Sequence, residues 1–425
     1  MLLEFSVGNF RSIRDIESIS FVASSVVSKN KEVDETNVFQ ATDKLRVLKT
    51  LAIYGANASG KSNFIKAIYA FKAIVTQSLT NENILAFIEP YLLSTETNDK
   101  PTFFQIHFII EGVVYRYGFE TNTKEITAEW LFGTPNSREI YYFKRDFQKL
   151  DINKKQFTEA HKLQTLLEGE NPIFRKNALL ISTLATFNNE LSQKIYSEIR
   201  NLSSLINLDN SMFRNATDAM IFSDDAFKEK TTELLRYAAV GIDSLLVIDN
   251  SNPKDSKHPD YKFQSNPKRI ATLHKQFDGE LNLIDKPVLF MLDSNESEGT
   301  KKLYELAPFI FTTLENGGTL IIDEFDARLH PRLSKKIIEI FNDPRTNPKN
   351  AQLLVVTHDT NLLSANLFRR DQILFVEKDK YGASHLYSLA AFKGVRNDAS
   401  FESDYLMGRY GAVPFLNNLN AVFAN

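Results

Sequence analysis

Apolar positions along this chain follow three different rhythms. The N-terminal segment alternates and is β-branched over Leu2–Val7 and again over Ile16–Val22, which predicts two strands around a turn at Gly8–Arg14. Residues 24–45 are polar and predict a loop. The run Val47–Tyr54 then reads as a buried strand, and Asn63–Ile74 has the spacing of a helix. From Thr102 to Lys144 the period returns to two, in Phe104-x-Ile106-x-Phe108, Val113–Phe119, Ile126–Phe132 and Ile140–Phe143. That stretch predicts four short antiparallel strands. Residues 157–240 are mostly helical in period, with Leu179, Leu180, Leu184 and Phe187 on one face.

The last third changes rhythm once more. A helix over Lys301–Leu314 stops at Gly317-Gly318. After it come a strand at Thr319–Asp323, a helix at Arg332–Phe341, a strand at Gln352–Thr357, a helix at Asn361–Leu367 and a strand at Gln372–Glu377. Strand alternating with helix is the signature of a parallel sheet with covering helices. The expected fold class is therefore α/β: a mixed sheet with flanking helices, split into residues 1–80 and 285–425. Residues 81–284 are expected as an insertion, β-rich over about 101–145, helical over about 157–245, with a loop at 250–269.

The chemistry is concentrated in the two ends. Residues 55–62 read Gly-Ala-Asn-Ala-Ser-Gly-Lys-Ser, a complete phosphate loop lying between a predicted strand and a predicted helix. Gly55 and Gly60 allow the tight turn. The backbone of Ala56, Asn57, Ala58 and Ser59, with Asn63 in the first helical turn, can cradle a polyphosphate. Lys61 is placed for the β- and γ-phosphates and Ser62 for Mg²⁺. The strand Thr319-Leu-Ile-Ile ends in Asp323 and Glu324: the first carboxylate suits the metal, the second a water attacking the γ-phosphate. His358 ends the next apolar strand and is placed to contact the γ-phosphate. In Glu296-Ser-Glu-Gly-Thr-Lys, Ser297 and Gly299 open a helix, as a plain N-cap or as an anion site for a nucleotide. A nucleoside triphosphate with Mg²⁺ is thus the expected ligand and its hydrolysis the expected reaction.

Composition narrows the setting. With no cysteine, disulfides, thiolate catalysis and Cys-zinc sites are excluded, and a reducing cytoplasmic home fits. The N-terminus has no signal-peptide pattern and no apolar run approaches a membrane span. The formal net charge of −3 favours no particular partner. The stretch Asn250–Arg269 carries Lys254, Lys257, Lys262, Lys268 and Arg269 against two aspartates. A solvated loop is its first reading and a nucleic-acid or partner contact its second.

Taken together the set resembles the ATPases of the ABC superfamily, in the SMC/Rad50/RecF/OLD branch. Asn9-Phe-Arg-Ser resembles that branch's N-F-[KR]-S element, which implies that Asn9, Arg11 and Ser12 lie near the nucleotide. Ser297-Glu-Gly-Thr resembles the ABC signature, although with S-x-G-T in place of S-G-G-Q. Asp323-Glu-Phe-Asp-Ala-Arg-Leu-His-Pro resembles the Walker B and D-loop run, and His358 the switch histidine. No long heptad-rich arms are present. Within the branch, the compact size, Phe375-Val-Glu-Lys and Gly408-Arg-Tyr-Gly-Ala-Val-Pro resemble the small AbiLi/RloA-like ATPases of abortive-infection loci. That resemblance implies an ATP-driven switch or scaffold in anti-phage defence, a homodimer or dimer-built higher oligomer, and a separately encoded effector, often a Toprim nuclease. A RecF-like ATPase acting directly on DNA is the alternative.

Overall fold

A computed structural model describes residues 1–136, 138–164, 175–206, 211–238, 241–249, 268–395 and 400–414. In chain order the first strands are β1 (Leu2–Gly8), β2 (Glu17–Ser20), β3 (Val38–Thr42), β4 (Leu45–Leu48) and β5 (Thr50–Tyr54). After the helix Lys61–Gln77 follow β6 (Thr102–Ile110), β7 (Val113–Thr121), β8 (Ile126–Thr134), β9 (Ile140–Asp146) and β10 (Lys149–Ile152). Helices at Leu180–Thr186 and Glu190–Arg200 lead to β11 (Leu202–Leu205). Helices at Ser211–Ser223 and Asp225–Ala238 precede β12 (Ile242–Asp249), β13 (Lys268–Phe277) and β14 (Leu283–Met291). The helix Glu298–Asn316, β15 (Thr319–Ile322), the helix Pro331–Asn342, β16 (Gln352–Val356), β17 (Ile373–Lys378) and β18 (Ser384–Ser388) complete the order.

The central sheet runs β11-β15-β16-β5-β17-β18, with every pair parallel except β17–β18. Its inner strands β15, β16 and β5 are buried on both faces, which explains their apolar runs. Against it packs the helix Lys61–Gln77, which buries Phe64, Ile65, Ile68, Phe71, Ile74 and Val75 at helical spacing. The fold class is the one expected, α/β: a mixed sheet with flanking helices, with β-rich and helical stretches between its two halves.

A second, seven-stranded sheet in the order β10-β9-β8-β7-β6-β1-β2 covers the other side of that helix. Phe71 stacks on Phe119 at 5.4 Å and meets Phe5 edge-on at 5.6 Å. The expected antiparallel strands are all present, with β10 in addition. They are not a separate body, because β6 pairs antiparallel with β1 from Leu2↔Phe108 to Gly8↔Phe103. One compact unit accordingly comprises 1–206, 313–325 and 335–425, and the other 207–312 and 326–334. The boundary expected at 80/81 falls inside a continuous core.

Other expectations also shift. Residues 24–45 hold a short helix, Lys31–Thr36, capped by Asn30, and most of a hairpin, β3–β4. That helix buries only Val33, too little to give a periodic signal. The apolar run from Val47 breaks at Lys49, whose Nζ donates to the Asn342 carbonyl at 3.0 Å. Residues 202–205, expected as helix, are strand, and β12 (242–249) starts inside the stretch expected as helix to about 245. Leu202-Ser-Ser-Leu is too short to betray its period, yet it pairs in parallel with β15. The expected helix Asn361–Leu367 is a single 3₁₀ turn, Thr360–Leu362. Lys268 and Arg269, read as loop, begin β13, and residues 250–267 lie outside the described residues.

The second unit has its own packing. Phe213 and Phe227 meet Phe309 and Phe311 edge-on at 5.5 and 6.0 Å, and Asp218 accepts from Tyr304 at 2.6 Å and Arg214 at 2.9 Å. Among the described residues, no helix is long and apolar enough to cross a membrane.

One buried charge ties the seven-stranded sheet to its helical neighbour. Glu129, fully buried, accepts from Leu180 N at 2.7 Å, Ile181 N at 3.0 Å and Tyr117 Oη at 3.0 Å, with Arg145 at 3.4 Å. It therefore caps the positive end of the helix Leu180–Thr186. Glu129→Ala should leave both the helix end and a fully buried guanidinium uncompensated, at a cost of about 3–5 kcal/mol. Urea denaturation of the variant against wild type measures this. A loss under 1 kcal/mol would contradict the assignment.

Candidate functional site

The phosphate loop joins β5 to the helix Lys61–Gln77, and its shape is set by close backbone approaches. A Cβ on Gly55 would collide with the Val376 carbonyl. A Cβ on Gly60 would collide with Ser384 Oγ and come within 2.6 Å of Ser12 Oγ, and Gly60 has φ +106°. Ser384 Oγ donates to the Ser59 carbonyl at 2.6 Å, Asn63 Nδ2 donates to Ser12 Oγ at 2.7 Å, and Ser384 N donates to the Ser12 carbonyl at 2.7 Å. No side chain caps the helix that the loop opens, so its first N–H groups keep their positive end for an anion.

Lys61 is buried, and its Nζ donates to the Gly55 and Ala56 carbonyls at 2.9 Å each. Ser59 Oγ is buried with no hydrogen-bond partner among the described residues. A folded-back lysine and an orphan hydroxyl at the same loop suit a polyphosphate that would engage both.

Across from the loop stand the ends of β15 and β16. Asp323 is buried, its N–H donates to the Leu205 carbonyl at 3.1 Å, and its Oδ1 accepts from Glu324 N at 3.1 Å. Glu324 takes φ +50°, a left-handed conformation that costs an ordinary residue about 1–2 kcal/mol. That turn sends its carboxylate outward while Asp323 stays in. Phe325 N then donates to the Val356 carbonyl at 2.9 Å and fixes the turn against β16. His358 is exposed just beyond β16.

These groups share one cavity of about 380 Å³. It is lined by Asn57, Ala58, Gly60, Lys61, Ser62 and Asn63 from the loop, and by Asp323, Glu324, Val356, His358 and Lys378 from the strand ends. Ser62 and Asp323 are hard oxygen donors and fit Mg²⁺, which takes one or two protein oxygens and fills its shell with phosphate and water.

The Asn9-Phe-Arg-Ser element divides. Ser12 braces Gly60 as described. Asn9 is buried and spends its amide elsewhere: Nδ2 donates to the carbonyls of Thr97 at 2.9 Å and Lys100 at 2.8 Å, and Oδ1 accepts from Tyr91 N at 2.9 Å. Arg11 pairs with Glu89 at 2.9 Å. Neither lines the cavity. Their work is to fix the loop after Asn83. Lys378, by contrast, lines the cavity; in the sequence it stands out only as the end of the Phe375-Val-Glu-Lys run, which carries a resemblance but no site role.

Ser297 and Gly299 belong to the second compact unit. Ser297 caps the helix Glu298–Asn316, its Oγ accepting from Thr300 N at 3.2 Å. A Cβ on Gly299 would stand 2.8 Å from the Arg328 carbonyl, and Arg328 pairs with Glu298 at 3.0 Å. The signature-like element thus lies against the run that follows Asp323-Glu324-Phe325.

A family model described as "AAA domain, putative AbiEii toxin, Type IV TA system" matches residues 51–364 of the 425. The chain belongs to this family. Its match takes in the phosphate loop, Asp323, Glu324 and His358, so this AAA domain is an ATPase-type enzyme domain. Among solved structures, an SMC head bound to the C-terminal winged-helix domain of ScpA aligns at 17% identity and TM-score 0.42, over 91% of this chain and 97% of that one. The SMC head domain from Thermotoga maritima aligns at 13% and 0.41, over 91% and 98%. An SMC head with an extended coiled coil, bound to a ScpA domain derived from Pyrococcus furiosus, aligns at 16% and 0.43, over 96% and 98%. No curated protein matches.

Gly60→Ala tests how tightly the loop is held. The added methyl meets two hydroxyls and an unfavourable φ, so the variant should lose about 1–2 kcal/mol of stability and most of its nucleotide affinity. Thermal unfolding and nucleotide titration measure both; wild-type affinity in the variant would mean the loop is looser than its contacts indicate.

Proposed function

We propose that this AAA domain hydrolyses ATP with Mg²⁺ and uses the cycle as a switch. The observation that carries the reading is the single cavity between the phosphate loop and the Asp323–Glu324 turn. In it the loop N–H groups and the helix end would hold the β-phosphate, and Lys61 would swing from the Gly55 and Ala56 carbonyls to the β,γ-bridge. Ser62 and Asp323 would hold Mg²⁺, which supplies charge neutralisation when bound. Glu324, turned outward, would polarise the attacking water, with His358 holding the γ-phosphate.

Ser297 and Gly299 act, on this reading, on a nucleotide held by a second copy of the chain, so that ATP joins two protomers. The family description names an AbiEii toxin and a type IV toxin–antitoxin system and no effector; a role in anti-phage defence through a separately encoded effector rests on the sequence resemblance alone. Nothing among the described residues favours the DNA-acting alternative; of its basic stretch, Lys254, Lys257 and Lys262 lie outside them.

Glu324→Gln keeps shape but not basicity, so it should lose most of the chemical step, by about 10²-fold or more, while keeping nucleotide affinity. Given MgATP, the variant should accumulate as a closed dimer or a dimer-built assembly, and open with ADP. Light scattering coupled to size exclusion reads this directly. An assembly state indifferent to nucleotide would sink the switch while leaving the ATPase intact, and turnover surviving Lys61→Ala in clean protein would mean that the phosphate loop is not the catalytic site.

Complementation tests the trans arrangement. Lys61→Ala and Ser297→Arg protomers, each inactive alone, should on mixing recover about one working site per mixed dimer. No recovery under conditions of proven subunit exchange would exclude the sandwich.

A further inference from the structure

The run Phe375-Val-Glu-Lys ends β17, and each of its residues faces a different duty. Phe375 stacks on Tyr405 at 5.4 Å and Tyr410 at 5.8 Å, on the face away from the helix Lys61–Gln77. Glu377, on the same side, accepts from Tyr387 Oη at 2.9 Å. Leu374 and Val376 point the other way, into the core shared with that helix. Strand alternation puts Lys378 on the Val376 face, one step beyond the point where the Val376 carbonyl presses on Gly55. There it lines the nucleotide cavity.

Lys378 is exposed, and its ammonium makes no ion pair or hydrogen bond among the described residues. Of the two carboxylates adjacent in sequence, Glu377 is on the opposite face with Tyr387 and Asp379 is turned to its own loop: it accepts from Tyr381 N at 2.8 Å, Ala383 N at 2.9 Å and His385 at 3.3 Å. A cation with no partner at the rim of a phosphate-shaped cavity is placed for an anionic ligand.

The strand order says which part of that ligand. Asp323, Glu324 and His358 follow β15 and β16, on one flank of β5. Lys378 ends β17, on the opposite flank. We propose that Lys378 is a second phosphate-binding lysine, facing the α- and β-phosphates of a nucleotide whose γ-phosphate lies toward Glu324. The proposal rests on the nucleotide reading of the cavity. It assigns Lys378 to binding common to di- and triphosphate, not to the hydrolytic end.

The test is calorimetric titration of the full chain with MgADP and with a non-hydrolysable MgATP analogue. Lys378→Ala should weaken both by the same factor, roughly tenfold, as expected for one lost charge-assisted contact. Lys378→Arg should restore most of the affinity, because the positive charge is kept. Loss confined to the triphosphate, or no loss in a variant that melts like wild type, would overturn the assignment provided that wild type binds and Lys61→Ala does not. A wild-type chain that binds neither nucleotide would instead overturn the reading of the cavity itself, and this proposal with it.

Discussion

The backbone of residues 55–62 is the constraint on which everything else depends. It is gripped at two glycines by chain segments far away in sequence: the Val376 carbonyl at Gly55, and the hydroxyls of Ser12 and Ser384 at Gly60. A side chain at either position would push the loop off the strand ends that complete the site. The grip also explains how the loop and the acidic turn can come from opposite ends of the chain. The entropic cost of closing a long connection grows only with the logarithm of its length, about 0.6 kcal/mol per doubling. A long intervening stretch therefore costs little once β5 lies between β16 and β17.

The two sheets of the first unit are locked by polar groups as well as by the aromatic layer between them. Gln352, buried at the start of β16, accepts from Leu2 N at 2.8 Å and donates back to the Leu2 carbonyl at 2.8 Å. One side-chain amide thus mimics a strand pair and ties the central sheet to β1. Gln372 does similar work at the start of β17, donating to Thr50 Oγ1 at 2.7 Å and accepting from Asn37 at 2.8 Å. Buried amides with these partners fix register, because a one-residue slip would leave each of them unsatisfied in the core.

The site was legible in the sequence where chemistry demands fixed spacing. The phosphate loop needs its glycines, lysine and serine at set intervals, and the acidic pair needs an apolar strand before it, so both could be read directly. What stayed hidden depends on contacts between distant segments. β11 has four residues and no readable period, yet the Leu205 carbonyl holds Asp323 N at 3.1 Å. The antiparallel strands were visible one by one, but their union with β1 is a pairing that no local pattern carries. Asn9 looked like a nucleotide ligand because its motif resembles one; its amide is instead spent on the backbone around residues 91–101. Lys378 was passed over because a strand-end lysine is ordinary until its neighbours are known.

Exposure divides the cavity into a part built to bind and a part that is incomplete for chemistry. Asp323 is buried and held by the backbone, so the group that would grip the metal is preorganised, while Lys61 is buried and has only to swing from the Gly55 and Ala56 carbonyls. Glu324 and His358, which would act on the γ-phosphate, are exposed to solvent. A carboxylate in bulk water is a weak base, and a dipole there is screened, so neither reaches full effect until water is excluded. Nucleotide binding by the chain alone and rapid turnover by the chain alone are therefore separate expectations on physical grounds. The outward turn at Glu324 carries its strain at the spot where a covering surface would have to land. A second protomer bringing Ser297 and Gly299 over that turn would supply both the dry environment and the missing donors. That makes assembly, on the proposed reading, a condition of hydrolysis rather than its consequence.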